Sequence, residues 1–146
     1  MKAVVQRVKS AVLEAEGRIV SQIGKGLVVY WGVEKEDTED SSVYLARKIA
    51  NMRIFSDEQG KMNLSVKDCG GEILLVSQFT LMADTSRGNR PGFELAERPD
   101  RAKEMYLHAG KLIEQQGVTV KYGVFGADMT ITQVNDGPVT IEMEKK

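Results

Sequence analysis

Histidine and cysteine each occur once in these 146 residues, as His108 and Cys69, and that scarcity removes several chemistries at the outset. A zinc centre draws on several such ligands, so no metal is expected. A single cysteine cannot form an internal disulfide, which fits a reducing cytoplasm. Cys69 precedes two glycines at a turn, with no evidence of the cation or base that would make it a thiolate nucleophile. His108 flanks an apolar helical stripe, a boundary position, and nothing places it beside a serine and a carboxylate as a triad requires. Long apolar runs are also missing. The longest, Gly26 to Val33, is far too short to span a bilayer, so no membrane segment is expected. Neither Gly24-Lys25-Gly26 nor any other stretch carries the glycine spacing of a phosphate or dinucleotide loop, so no cofactor is expected.

Charge of one sign is lacking as well. The formal charge of −1 argues against holding long nucleic acid mainly through the protein's field, although it leaves room for a local RNA contact. Between Asp84 and Glu104, Arg87, Arg90, Arg98, Arg101 and Lys103 alternate with acids, which reads as a solvated mixed-charge surface. The paired acids Asp57-Glu58 and Asp37 with Glu39 read as exposed polar turns, without the setting of a two-carboxylate site.

What is present is an ordinary globular composition, 42% hydrophobic and 28% charged, at the length of one domain covering residues 1–146. The opening Met1 to Val8 alternates apolar and polar residues as a first strand, not as a signal peptide. Glu16-Gly17 predicts a hairpin joining a segment around Ala11 to Ala15 with Arg18 to Ile23, and Gly24-Lys25-Gly26 predicts a return into the apolar run ending at Val33. Leu45, Ala46, Ile49 and Met52 share a helical face, predicting a helix from about Glu39 to Met52 with Asp37 or Thr38 as its cap. Ala102, Met105, Tyr106, Ala109, Leu112 and Ile113 form a second stripe, opened by Pro99 and stopped by Gly117. Strand character returns at Val118 to Tyr122, Met129 to Val134 and Val139 to Met143. The expected fold is α+β: a curled, largely antiparallel sheet or barrel-like β core covered by about two helices. The aperiodic connection from Met82 to Arg98 is long enough to suggest function or an interface.

Two segments remain in which hydroxyls, amides and main chain are the only available chemistry. Glu72 to Val76 is a buried strand candidate running into Ser77-Gln78-Phe79-Thr80-Leu81, so these polar groups sit at the end of a rigid element. Phe79 offers a face for a nucleobase and Gln78 an amide for its edge; the alternatives are a core aromatic and a sheet-end hydrogen bond. Ser77 and Thr80 have no evident base. In Asn135-Asp136-Gly137-Pro138-Val139-Thr140, Gly-Pro permits a cis or sharply turned peptide that could wall a ligand with main chain, or it makes a hairpin turn.

With Ala3-Val4-Val5-Gln6-Arg7-Val8, Ile23-Gly24-Lys25-Gly26-Leu27, Met52-Arg53-Ile54-Phe55, Gly60 to Ser65, Gly88-Asn89-Arg90-Pro91 and Phe125 to Met129, these two segments form an ordered set. The chain thereby resembles the bacterial-type D-aminoacyl-tRNA deacylases, the D-tyrosyl-tRNA deacylase family, over essentially its whole length. The resemblance implies an ester hydrolase that releases a D-amino acid, or glycine, from the terminal adenosine of tRNA and rejects L-aminoacyl-tRNA. It implies a homodimer in which Gly137 and Pro138, joined by a cis peptide, enter the partner's site as a chiral filter. Gln78 and Phe79 would hold the adenosine, and Ser77 and Thr80 would line the reacting ester. Two accounts of the step are open, Thr80 as nucleophile or catalysis by backbone amides and the tRNA 2′-hydroxyl; the second is preferred because Thr80 lacks a base. Met82 stands where the family often has tyrosine or another larger residue, and Gly92 where it often has serine, which bears on pocket-rim contacts and loop rigidity. The rival readings are a noncatalytic RNA-end-binding module and an interaction-only homodimer.

Overall fold

The computed structural model describes all residues, 1–146. Its organising element is one strand, β1 (Lys2–Ala15), longer than the sequence suggests because its two alternating segments are continuous. The strand is hydrogen-bonded on both edges. Along one edge runs β8 (Met129–Glu144), antiparallel from Lys2↔Glu144 to Ala15↔Met129. Along the other, β2 (Arg18–Ile23) pairs with Ala11 to Ala15, and β3 (Gly26–Gly32) pairs with Lys2 to Val8. The hairpin at Glu16-Gly17 forms as expected, with positive φ at both residues. Gly24-Lys25 does not reverse the chain. Both β2 and β3 run antiparallel to β1, so this dipeptide breaks a single return path opposite β1, and the expected turn is corrected to an interruption.

From β3 the chain crosses through α1 (Glu39–Asn51) and a small hairpin of β4 (Phe55–Ser56) and β5 (Met62–Leu64) to β6 (Glu72–Ser77). A 3-10 turn (Phe79–Met82), a long loop and α2 (Pro99–Gln115) then lead to β7 (Thr119–Tyr122). β6 is parallel to both β3 and β7, so two of the five pairings in the main sheet are parallel and three antiparallel. Ser21 Oγ donates to the Tyr122 carbonyl at 2.6 Å and Lys121 Nζ to the Gln22 carbonyl at 2.8 Å, drawing β7 against β2. The mixed sheet therefore nearly closes into a barrel with two helices packed on it, the α+β architecture expected. Neither helix is long and apolar enough to cross a membrane.

Strands β3 and β6 are buried on both faces, which explains why they read as unbroken apolar runs. Leu27, Val29, Trp31, Ile73 and Leu75 face the helices and pack with Leu45, Ile49, Tyr106 and Ile113. Val28, Leu74 and Val76 face the inside of the curl and meet Val8, Ala11, Leu13 and Ile23. Each fully buried aliphatic side chain of this kind contributes roughly 1.5–3 kcal/mol. Pro99 opens α2 and Gly117, at φ +90°, follows its C-terminus, as the sequence indicates.

The start of α1 departs from expectation. Thr38 occupies the cap position without a side-chain cap bond, and Asp37 is buried instead of solvated. One Asp37 oxygen meets the Met1 ammonium at 2.5 Å and the other accepts the Glu34 N–H at 2.7 Å. An acid that reads as an exposed turn residue thus anchors the junction of β1, β3 and α1.

Where β3 and β6 begin, a β-carbon placed on Gly26 would overlap the Glu72 carbonyl oxygen and lie 2.8 and 2.9 Å from two further Glu72 backbone atoms. Backbone cannot yield there as a flexible side chain would. Gly26→Ala is expected to destabilise the protein by about 3 kcal/mol, whereas Gly24→Ala, with open space around it, should stay within about 0.5 kcal/mol. Chemical denaturation of the two variants checks the contrast.

Candidate active site

A cleft of about 570 Å3 opens at the carboxyl ends of β3 and β6. Val33, Val76, Ser77, Gln78 and Phe79 form one wall, Ala96, Glu97, Pro99 and Ala102 a second, and Phe125 to Met129 with Ile131 a third. Its position follows from the sheet: β6 is buried through Val76, and Ser77 is the first residue able to leave the core. Gln78 N–H still donates to the Trp31 carbonyl at 2.8 Å, so the backbone remains clamped to β3 at the point where the polar segment begins.

The turn that follows has a useful geometry. Its hydrogen bonding starts with Leu81 N–H donating to the Gln78 carbonyl, followed by Ala83 N–H to the Thr80 carbonyl. The N–H groups of Phe79 and Thr80 precede the first of these bonds and are not consumed by the turn. Gln78 Nε2 donates to Thr80 Oγ1 at 2.5 Å. The threonine oxygen thus has an amide donor as its neighbour, the reverse of the base that would activate it. Phe79 is not a core aromatic: it is 56% exposed and braced edge-on by Phe93, with ring centroids 5.1 Å apart.

The long connection from Ala83 to Arg98 is held at several points although it has no period. Asp84 and Gly92 exchange backbone bonds at 2.8 and 2.9 Å, Lys35 N–H donates to the Leu95 carbonyl, and Glu97 N–H to the Val33 carbonyl. Gly92 is therefore fixed by its own backbone. Met82, 2% exposed, packs under Gly32 and is a core residue, not part of the pocket rim. The Arg98 N–H donates to Glu97 Oε1 at 2.7 Å, and this bond, opposed by desolvation and aided by Arg101, holds the Glu97 carboxyl below the usual carboxylate range. Arg101 also donates to the Asp37 carbonyl at 2.5 Å, tying the cleft wall to the base of α1. Two members of the mixed-charge stretch are thus structural.

Of the residues singled out from sequence, Ser77, Gln78 and Phe79 line the cleft and Thr80 adjoins them. Gly137 and Pro138 do not line the cleft of their own chain. They are also not a hairpin turn, since the residues on both sides pair with β1. Gln6 faces Thr140 and Val8 faces Asn135, so Asp136 to Val139 bulge outward opposite the single residue Arg7. The Gly137-Pro138 peptide is cis, and Gly137 has φ +129°. A β-carbon on Gly137 would stand 2.9 Å from the Val139 nitrogen and 3.2 Å from an Arg7 terminal nitrogen. His108 does not line the cleft.

Arg7 is the residue that sequence reasoning passed over. Its Nε donates to the Asp136 carbonyl at 3.1 Å and lies 3.5 Å from Asp136 Oδ2, while Nη1 donates to the Ile54 carbonyl at 2.5 Å. Its side chain is only 11% exposed. Its sequence offers little signal, because Arg7 stands beside Gln6 in a strand that alternates apolar and polar residues. The third-wall residues Phe125 to Met129 were visible as a motif but carried no chemistry by which to place them.

A family model described as D-Tyr-tRNA(Tyr) deacylase matches residues 4–144. The chain belongs to that family. It is 49% identical over 146 residues to the D-aminoacyl-tRNA deacylase of Bacillus velezensis (strain DSM 23117 / BGSC 10A6 / LMG 26770 / FZB42), covering 100% of this chain and 99% of the relative. It is 50% identical over 146 residues to the enzyme of the same name from Thermoanaerobacter pseudethanolicus (strain ATCC 33223 / 39E), covering 100% and 98%. Among solved structures, one described as a c-Myc DNA unwinding element binding protein superposes with a TM-score of 0.93 at 43% identity, over 100% of this chain and 99% of that one. A probable eukaryotic D-amino acid tRNA deacylase shares the fold, with a TM-score of 0.82 at 17% identity over 97% of each chain.

In this deacylase-family chain, Arg7→Ala removes the donor shared by two carbonyls, one on β8 and one on the segment leading into β4. We expect a loss of about 1–3 kcal/mol in denaturant unfolding. Arg7→Lys should recover little of it, because one ammonium cannot reproduce the guanidinium fork.

Proposed function

We propose that this protein, acting as a single domain, hydrolyses the ester between a D-amino acid, or glycine, and the terminal adenosine of tRNA. Released products would be free tRNA and the amino acid, and the setting would be the cytoplasm, where aminoacyl-tRNA is used. Family membership and the names of the two half-identical relatives support the reaction class. The observation in this chain that carries the reading is the cleft wall from Ser77 to Phe79, where a clamped strand end presents an exposed aromatic and main-chain N–H groups not consumed by the adjoining turn.

In this reading the adenine stacks on Phe79, braced by Phe93, and Gln78 contacts its edge. The ester lies against Ser77 and Thr80. The Phe79 and Thr80 N–H groups donate to the oxygen that becomes negative as water attacks, and preorganised donors of this kind lower the barrier without a charged side chain. Thr80 positions and does not attack, since its only hydrogen-bonded neighbour within the chain is an amide donor. The tRNA 2′-hydroxyl is available to relay the proton.

Stereochemistry is assigned to Gly137 and Pro138 of a partner subunit. Their bulge is exposed, lies outside its own chain's cleft, and is held by Arg7 on a strand whose far edge has no partner. A main-chain wall rejects by clash: an L side chain would be driven into it, and glycine has none to reject. The noncatalytic RNA-end reading shares the stacking surface but gives no task to the N–H groups that the turn leaves over.

Multiple-turnover release of D-tyrosine and glycine from their tRNAs, without added cofactor, with L-tyrosyl-tRNA spared, is the expected result. Rates equal to a protein-free control would sink the enzyme reading. Thr80→Ala should retain measurable turnover, and a covalent aminoacyl-Thr80 species seen by mass spectrometry would overturn the positioning role.

The shared site has its own test. Gly137→Ala, strained at its positive φ, and Gln78→Ala are each expected to be weakly active alone. Co-folded in equal amounts, half of the dimers carry one intact site, restoring roughly a quarter of wild-type activity. Absence of recovery in mixtures that light scattering shows to be dimeric would place both residues in one chain's site.

A further inference from the structure

Away from the cleft, a second concavity of about 790 Å3 opens between α1 and the C-terminal part of β8. Tyr44, Arg47, Lys48 and Asn51 of α1 form one side, and Ile141 of β8 lies opposite. The Lys48 ammonium stands 5.7 Å from the centroid of the Tyr44 ring, and the Lys145 ammonium stands 5.4 Å from the same centroid. None of the three cations is within ion-pair distance of a carboxylate. Lys48 has a local reason for its place, because the last turn of a helix favours a cation. Lys145 follows the end of β8, where its backbone exchanges bonds with Met1, and its side chain reaches the ring from there. Two elements distant in sequence thus bring unneutralised positive charge onto one ring, an arrangement that an anion lying between them would relieve.

We propose that this groove holds the sugar-phosphate backbone of the tRNA beyond its terminal adenosine, an inference that rests on the deacylase reading for the identity of the polyanion. The placement fits one continuous ligand. Arg101 joins the cleft wall at Glu97 to Asp37, two residues before α1 begins. From Glu39, the stretch Tyr44 to Asn51 lies roughly 8–18 Å along the helix axis, a distance covered by a few nucleotides at about 3.4 Å per stacked step. Lysine ammoniums occupy the Tyr44 ring, so the groove offers charge and no free aromatic face. It would grip phosphates without reading sequence.

The test compares the parent protein with the triple variant Arg47→Gln, Lys48→Gln, Lys145→Gln, and with Lys111→Gln as a control for net charge. Fluorescence anisotropy with uncharged tRNA over a salt series should give a log-affinity slope shallower by roughly two units in the triple variant, with three phosphate contacts removed. KM for D-tyrosyl-tRNA should rise about 5–20-fold at low salt, with kcat unchanged, while hydrolysis of D-tyrosyl-adenosine, which has no phosphates to hold, should match the parent. An unchanged slope and KM would overturn the proposal, as would an equal loss on both esters or in the Lys111 control. A change of oligomeric mass in the triple variant would overturn it in favour of an interface between copies. If the parent hydrolyses neither ester, the deacylase reading fails, and the anisotropy series on uncharged tRNA still decides the groove.

Discussion

Everything in this molecule hangs on β1 being hydrogen-bonded along both edges. One edge is divided between β2 and β3, and the sheet that continues from β3 curls until β7 lies against β2. The other edge is given wholly to β8, in a register that must absorb the bulge from Asp136 to Val139. A bulge in a strand fastened at both ends is positioned far more sharply than a free loop of the same length, and Arg7 fastens its first residue, Asp136. The same strand therefore builds the barrel and fixes the main-chain projection assigned to chiral selection.

Much of this was legible in residues whose pattern is local. Both helices came from apolar spacing, the ends of the second from Pro99 and Gly117, and the first hairpin from Glu16-Gly17. What resisted reading was decided at a distance. Gly24-Lys25 carries a turn's composition, but only pairing with β1 makes it an interruption between collinear strands. Asn135 to Thr140 has the residues of a hairpin, yet the flanking segments share a single partner, a fact of register absent from their own sequence. Asp37 sits among polar neighbours like any solvated acid, and its burial depends on the distant Met1 ammonium.

The candidate site was legible for a related reason: elimination works when composition is poor in the usual catalytic groups. With one histidine outside the cleft, attention falls on Ser77 to Thr80, and these residues do meet at the end of a buried strand. Phe125 to Met129 and Glu97 were not placed because their contribution is wall and shape, which no residue type announces. Arg7 escaped because an arginine donating to two carbonyls looks, in sequence, like any strand arginine facing solvent.

A site made of main chain and shape follows naturally from the task proposed for it. Mirror-image substrates carry the same groups in different places, so selection must act on position, and the wall proposed here does so by exclusion. Exclusion demands a wall that does not move, and the bulge proposed for that role is flanked by residues paired to β1 and tied to Arg7, where a flexible side chain would yield. The chemistry proposed for the cleft inherits the same constraint. N–H groups ahead of a turn clamped through Gln78 to β3 are fixed before substrate arrives, so little reorganisation is required as charge develops on the ester oxygen. In the proposed reading, rigidity is thus common to selection and catalysis, and it originates in the pairing of the sheet.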